Sequence, residues 1–313
     1  MTIKVGYLLP TRERVMADVH ETGPILAWAE KCEAVGLDSV WLGDSLLAKP
    51  RHEPLTLMSA IAARTARVEI GTAVLLPMLR NPVVMAQQVA TLDQVAEGRI
   101  ILGLGVGHDI PVNRAEFQAA GVPFEKRIGT LLEGIQLCRA LWSGEPVDWD
   151  GRWQMQGAVL GPKPYRAGGP PIWGGGGVDA ALKRAGRYWD GWMPSGPDDS
   201  RVYAEGWAEI AGHAQAAGRD PADIVGSMYL TLAVGPDDAE TNERINTYLE
   251  TYYNQPADKL RKYQGTFSGT QEAALAWLRG FANAGVSHFV LRFVGDHDQN
   301  IDLAASIRAE LNA

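Results

Sequence analysis

Short apolar runs alternate with amphipathic stretches from one end of the chain to the other. The runs predict eight buried strands, at 3–9, 39–42, 68–76, 99–104, 170–173, 191–193, 227–234 and 288–294. Between them the apolar residues return near the helical period, as at Ile25, Leu26, Trp28, Ala29 and Cys32. Helices are predicted over 24–35, 54–65, 82–96, 124–142, 178–187, 200–217, 270–284 and 301–311. Asn81-Pro82 pairs a capping residue with a proline suited to the first helical position. Gly36, Gly98 and Gly285 stop their helices. Eight strands, each followed by a helix, predict an α/β chain: a (β/α)8 TIM barrel as a single domain over 1–313, with insertions at the carboxyl mouth. A doubly wound open sheet is the alternative topology.

Two stretches break the rhythm. In 143–166, the run from Val147 to Trp153 reads as a hairpin turning at Asp150-Gly151. The stretch 236–268 is polar, partly helical and rich in tyrosine: Tyr248, Tyr252, Tyr253 and Tyr263. Each reads equally as a lid, a dimer contact or plain surface elaboration.

Composition narrows the partners. Of 313 residues, 46% are hydrophobic, ample for a large core. There are 29 lysines and arginines against 37 aspartates and glutamates, a formal charge of −8, with no basic run. That argues against nucleic acid, which needs a basic footprint. Cys32 and Cys138 sit in apolar helical patterns and read as small core residues. The first residues carry a strand pattern with no apparent signal peptide, and no apolar run is long enough to span a membrane. A cytoplasmic protein is expected.

In a barrel the chemistry lies where strands end. Those ends read Leu8-Leu9-Pro10, Gly43-Asp44-Ser45, Gly71-Thr72-Ala73-Val74, Gly103 to His108, Gly174 to Gly177, Met193 to Gly196 and Arg292-Phe293. Asp44 and His108 are the candidate acid–base groups. No two histidines have metal-ligand spacing, so no metal is expected, and Asp296-His297-Asp298 reads as a solvated turn. The four glycines 174–177 between a strand and a helix suit a phosphate, through bare backbone and a helix N-terminus. A mobile turn whose glycines touch nothing is the other reading. A glycine-lined, apolar mouth suits a flat cofactor that carries its own reactivity. Tyr7, Trp173, Trp192 and Phe293 fit either an apolar substrate body or barrel packing.

Several segments, in order, resemble the bacterial luciferase-like superfamily of flavin- and deazaflavin-dependent oxidoreductases. They are Gly36 to Asp44, Val68 to Val74, Asn81 to Gln88, Gly98 to Gly107, Gly121 to Arg127, Gly169 to Gly177 and Asp190-Gly191-Trp192. The resemblance implies a (β/α)8 barrel that binds reduced FMN or coenzyme F420. It implies a cis peptide at Ala73-Val74, with Thr72, Ala73 and Val74 backing the ring system. It places Asp44 near the polar edge of the ring, where a helix N-cap is the alternative reading. Gly105 and Gly107 would leave room for ring or substrate. Gly174, Gly175, Gly176, Gly177 and Ser195 would hold the phosphate, with Lys183, Arg184 and Arg187 as candidates for the anionic tail of F420. It also implies a homodimer.

Three functions follow as expectations. The first is a monooxygenase using reduced FMN and O2 on a small organic substrate. The second is F420-dependent hydride transfer, for which some relatives carry a histidine where this chain has Ser45 and where His108 would have to serve as base, a histidine at the surface or one layer behind the site being the favoured other reading of His108. The third is a flavin-binding protein without turnover.

Overall fold

The structure, a computed structural model, describes residues 2–313. Its strands are β1 (Lys4–Leu8), β2 (Ser39–Leu42), β3 (Glu69–Thr72), β4 (Ile100–Leu104), β5 (Val147–Asp150), β6 (Gln154–Ala158), β7 (Ile172–Gly174), β8 (Gly191–Trp192), β9 (Val225–Val234), β10 (Thr266–Gly269) and β11 (His288–Phe293). The helices are α1 (Thr11–Met16), α2 (Gly23–Ala34), α3 (Pro54–Ala62), α4 (Pro82–Val95), α5 (Pro111–Ala119), α6 (Arg127–Trp142), α7 (Asp179–Tyr188), α8 (Ser200–Ala216), α9 (Asp238–Tyr253), α10 (Ala257–Leu260), α11 (Gln271–Asn283) and α12 (His297–Leu311).

The main sheet runs β10-β9-β11-β1-β2-β3-β4-β7-β8, and β8 also pairs with β9. Eight strands therefore form a cyclic, parallel order, and the fold is a (β/α)8 barrel. All six residues of β11 are buried, as expected of a parallel strand covered on both faces. The hairpin β5–β6 is antiparallel. β10 is an extra strand on the C-terminal half of β9, in register Thr266↔Thr231 to Gly269↔Val234. It was read from sequence as part of a polar insertion, because two of its four residues are only half-buried.

The chain divides into two compact units. One comprises Met1–Leu9, Thr22–Trp41 and Ile172–Ala313; the other comprises Pro10–Glu21 and Leu42–Pro171. In the first, Asp38 accepts Val5 N at 2.8 Å and holds Arg308 through two bonds of 2.7 and 2.9 Å. Its core contains a buried polar relay. Trp41 Nε1 donates to Ser39 Oγ at 2.7 Å, and Ser39 Oγ lies 2.7 Å from His288 Nε2. The hydroxyl has one proton and two lone pairs, so it accepts from the indole and pairs with either neutral tautomer of the imidazole. Burial, then the charge of Lys4, depresses the His288 pKa to about 3. The ring is therefore neutral in the folded protein.

In the second unit, Arg99 ties helix α3 to the start of β3 through the carbonyls of Ala62, Thr65 and Val68. Helix α4 opens as its sequence predicts, with Asn81 Oδ1 accepting Val83 N at 2.9 Å and proline in the first turn. Helices α1 and α5 escaped the sequence reading. α1 has only six residues and α5 nine, and neither start carries a side-chain cap. Both cysteines are buried and unpaired.

Candidate active site

In the second unit the chain beyond β3 is laced between its neighbours. The Ala73–Val74 peptide is cis, as the resemblance implies. Ala73 N donates to Leu42 O at 2.7 Å, Val74 O accepts Asp44 N at 3.2 Å, and Leu75 N donates to Gly103 O at 2.7 Å. The Thr72 hydroxyl is buried and donates to Gly103 O at 2.9 Å, so its side chain serves the sheet. Ala73 is buried and Val74 half-buried. A Cβ on Gly105 would run into the Val74 side chain. The bareness of Gly105 lets the Val74 side chain approach its backbone. Gly107 has φ +71°, the left-handed region, beside Phe117.

Asp44 caps no helix. Its Oδ2 accepts Leu76 N at 2.9 Å and Arg80 Nη1 at 2.6 Å, and its Oδ1 accepts Arg80 Nη2 at 3.0 Å. The side chain is 1% exposed. Arg80 also reaches Glu53 at 2.9 Å, and Glu53 is itself the N-cap of α3. Burial opposes the guanidinium charge, but Asp44 and then Glu53 outweigh it and hold the Arg80 pKa above its ordinary value. A bidentate pair of this kind is strong and directional. It leaves Asp44 a positioning carboxylate, with spare acceptor capacity on Oδ1, rather than a free acid or base. A cavity of about 460 Å³ is walled by Arg80 with Met78, Asn81, Val122, Lys126 and Trp153.

Ser45 is equally committed. Its hydroxyl donates to Glu116 Oε1 at 2.7 Å and accepts Lys49 N at 2.9 Å. The same buried Glu116 oxygen accepts the amides of Leu46, Leu47 and Ala48, so one carboxylate fixes the loop after β2.

His108 differs. It is exposed beyond the end of β4, and no hydrogen bond to its ring exists among the described residues. Its carbonyl accepts Ile110 N at 3.0 Å and Asn113 Nδ2 at 2.9 Å, which fixes the backbone under the ring. Desolvation by the surrounding protein, then the charge of Lys49, lowers its pKa. The imidazole is neutral at pH 7 and able to accept a proton.

In the first unit, β7 leads into the glycine loop. Gly174 is buried, and a Cβ there would meet the Trp189 ring, which packs on its bare face. Gly176 and Gly177 are exposed and Gly175 half-buried. Gly176 has φ +95° and its carbonyl accepts Trp192 Nε1 at 2.9 Å, which argues against a mobile turn. Helix α7 begins at Asp179 without a side-chain cap. Ser195 is exposed, and its carbonyl accepts Gly265 N at 2.7 Å, which brings 195–198 against 261–265. There Arg261 Nε and Nη2 are buried with no hydrogen-bond partner. Arg184 on α7 is half-buried, and desolvation lowers its pKa.

The sequence profile of the luciferase-like monooxygenase family matches residues 3–311. The chain belongs to this family. It is an oxidoreductase. The F420-dependent glucose-6-phosphate dehydrogenase of Amycolatopsis mediterranei is 30% identical, over 95% of this chain and 94% of that protein. The enzyme of the same description from Mycobacterium leprae is 34% identical, over 78% of this chain and 72% of its own length. Among solved structures, an F420-dependent secondary alcohol dehydrogenase with an F420–acetone adduct shares the fold at a TM-score of 0.84, with 23% identity and 100% of both chains covered.

Other expectations for this luciferase-like chain change on inspection. Tyr7, Trp173, Trp192 and Phe293 are all buried. Tyr7 stacks on Phe293 at 5.7 Å, Trp173 packs on Trp41 at 5.3 Å, and Trp192 stacks on Tyr203 at 4.6 Å, so these four are packing. Asp296-His297-Asp298 is no solvated turn. Asp296 caps α12 by accepting Gln299 N at 3.0 Å, and His297 Nδ1 lies 2.7 Å from the Tyr7 hydroxyl. No cluster of three metal-ligating side chains exists among the described residues. No described helix is long and apolar enough to cross a membrane. The sequence reading missed Arg80 and Glu116, because each matters only through partners distant in sequence, and Arg261, because the burial of its nitrogens follows only from the fold.

Proposed function

We propose that this chain is an F420-dependent oxidoreductase that moves a hydride between the deazaflavin and a small organic substrate, acting as one domain over 1–313. The observation that carries this reading is the near full-length likeness to F420-dependent dehydrogenases, 28–30% identical over at least 94% of this chain in six of them. It favours hydride transfer over the reduced-FMN and O2 reading, and turnover over mere flavin binding.

The residues fit an anionic coenzyme. The loop Gly175–Gly177 offers bare amides at the uncapped start of α7, Ser195 offers an exposed hydroxyl, and Arg261 has two buried nitrogens without acceptors. Arg184 adds a half-buried charge on α7. An anion there gains from the helix dipole as well as from the guanidinium groups. Asp44, Ala73, Val74 and Gly107 would position the ring system, with Arg80 fixing the Asp44 rotamer. Bound there, the coenzyme supplies the hydride carrier. His108 then takes the proton that leaves the substrate hydroxyl, on an unpartnered ring nitrogen.

Fluorescence titration with F420 and, separately, FMN tests the coenzyme. F420 should bind at micromolar concentration and FMN more weakly; tight binding of FMN alone would overturn the proposal. Gly176→Asp should weaken F420 binding by charge and bulk, and unchanged affinity would remove that loop from the site. His108→Gln should lower kcat by about 10²–10⁴. Because the His108 pKa lies below its ordinary value, the acid limb of the wild-type pH profile should fall below about pH 6.5. A limb unchanged in His108→Gln would remove that residue as the base.

A further inference from the structure

One fully buried cation has no counter-ion among the described residues. Arg292, near the C-terminal end of β11, is 2% exposed. Its Nε and Nη2 donate to Thr231 Oγ1 at 3.0 and 2.7 Å, and its Nη1 donates to the Tyr253 hydroxyl at 3.0 Å. Among the described residues no carboxylate lies within ion-pair distance of it. Four tyrosines surround the guanidinium, with ring centres at 4.7 Å (Tyr252), 5.2 Å (Tyr248), 5.4 Å (Tyr229) and 5.4 Å (Tyr253).

A guanidinium has five N–H donors, and three are used here. One N–H on each terminal nitrogen is left over. Ring faces make the charge tolerable, but they do not satisfy those donors. Buried charges are paired or they bind something. Tyr248, Tyr252 and Tyr253 come from α9, in the insertion whose sequence reads equally as a lid, a dimer contact or surface elaboration. That helix is docked on the strand ends by Ala233, Ile245, Leu249, Leu260 and Val294, so the rings are held in place. Tyr229, Tyr248 and Tyr253 are only half-buried, so the cage has a thin wall to solvent. It stands at the C-terminal side of parallel barrel strands, where such enzymes hold substrate.

We propose that Arg292 in its tyrosine cage anchors an oxyanion, a carboxylate or phosphate monoester, carried by the substrate. The word substrate rests on the function proposed above; the anion site does not. The cage holds the cation ready, and the ligand supplies the missing negative charge through the two spare N–H groups of a planar fork.

The test is thermal unfolding of the full chain without coenzyme, at constant ionic strength. The probes are sodium lactate and sodium phosphate, against sodium chloride and propane-1,2-diol. At least one oxyanion should stabilise the protein saturably, and chloride and the diol should not. A response to lactate alone assigns a carboxylate, and to phosphate alone a phosphate monoester. Arg292→Gln should abolish the response, and Arg292→Lys should weaken it about tenfold, since an ammonium lacks the fork. Should Arg292→Gln fail to fold, Tyr253→Glu serves instead: an internal carboxylate beside Arg292 should pre-empt the site and remove the response. No saturable response in the wild type, or an undiminished one in these variants, overturns the proposal. F420 binding without an oxyanion response sinks the cage alone; the reverse result sinks the coenzyme alone.

Discussion

Arg80 and Arg292 are both arginines near strand ends, and they are neutralised in opposite ways. Arg80 is held by two carboxylates, Asp44 at 2.6 Å and Glu53 at 2.9 Å. Arg292 has two hydroxyl oxygens and four aromatic faces. The first arrangement is complete and locks a backbone turn through Leu76 N. The second leaves donors over. A cation whose partners are all internal is a structural part; one whose partners are missing is poised for a ligand.

The largest effect should come from breaking the complete pair. Arg80→Met leaves the buried Asp44 carboxylate without its cation, and should cost about 3–5 kcal/mol in urea unfolding. Asp44→Asn should cost less, because Arg80 keeps Glu53. Equal losses from the two variants would contradict this picture.

Acid should attack the first unit through His288. Its folded pKa of about 3 lies below the unfolded value of about 6.5, so the unfolded chain takes up the proton first. Stability contributed by the neutral ring is complete above about pH 6.5 and is lost as pH falls toward 3, by a few kcal/mol, roughly. Protonation there would add a second uncompensated cation to the unit that already holds Arg292. His288→Gln should flatten that slope in chemical denaturation, and a variant with the wild-type slope would place acid sensitivity elsewhere.

A steric break of the second unit should be milder. Gly105→Ala puts a methyl against Val74 and should cost about 1–3 kcal/mol by overpacking. An alanine tolerated without loss of unfolding midpoint would show that Val74 can move aside.

The smallest effect should be Arg292→Met. No carboxylate is stranded by it, so thermal stability should stay within about 1 kcal/mol of wild type or rise. A loss as large as that of Arg80→Met would mean that the tyrosine cage is itself the structural partner, and the comparison between the two arginines would fail.

The alternation of apolar runs and amphipathic stretches determined the barrel by itself, because a parallel strand buried on both faces reads as a near-continuous apolar run, as β4 does. The cap at Asn81-Pro82 and the Asp150-Gly151 hairpin were legible for the same reason: their physics is local. Family membership was legible too, from short segments in order.

Tertiary structure alone decided what the polar side chains do. Asp44 could be read as a free carboxylate until Arg80, 36 residues away, closed on it. The partner of Ser45 was unreadable until Glu116, 71 residues away, accepted its hydrogen bond. The neighbours that pack on the bare faces of Gly105 and Gly174, Val74 and Trp189, were set only by the fold. The tyrosines of the insertion had no role until β11 brought Arg292 among them. Burial and periodicity are properties of neighbouring residues along the chain, so sequence carries them. Pairing of charges depends on which distant residue arrives at the same few ångströms, and only the folded chain settles that.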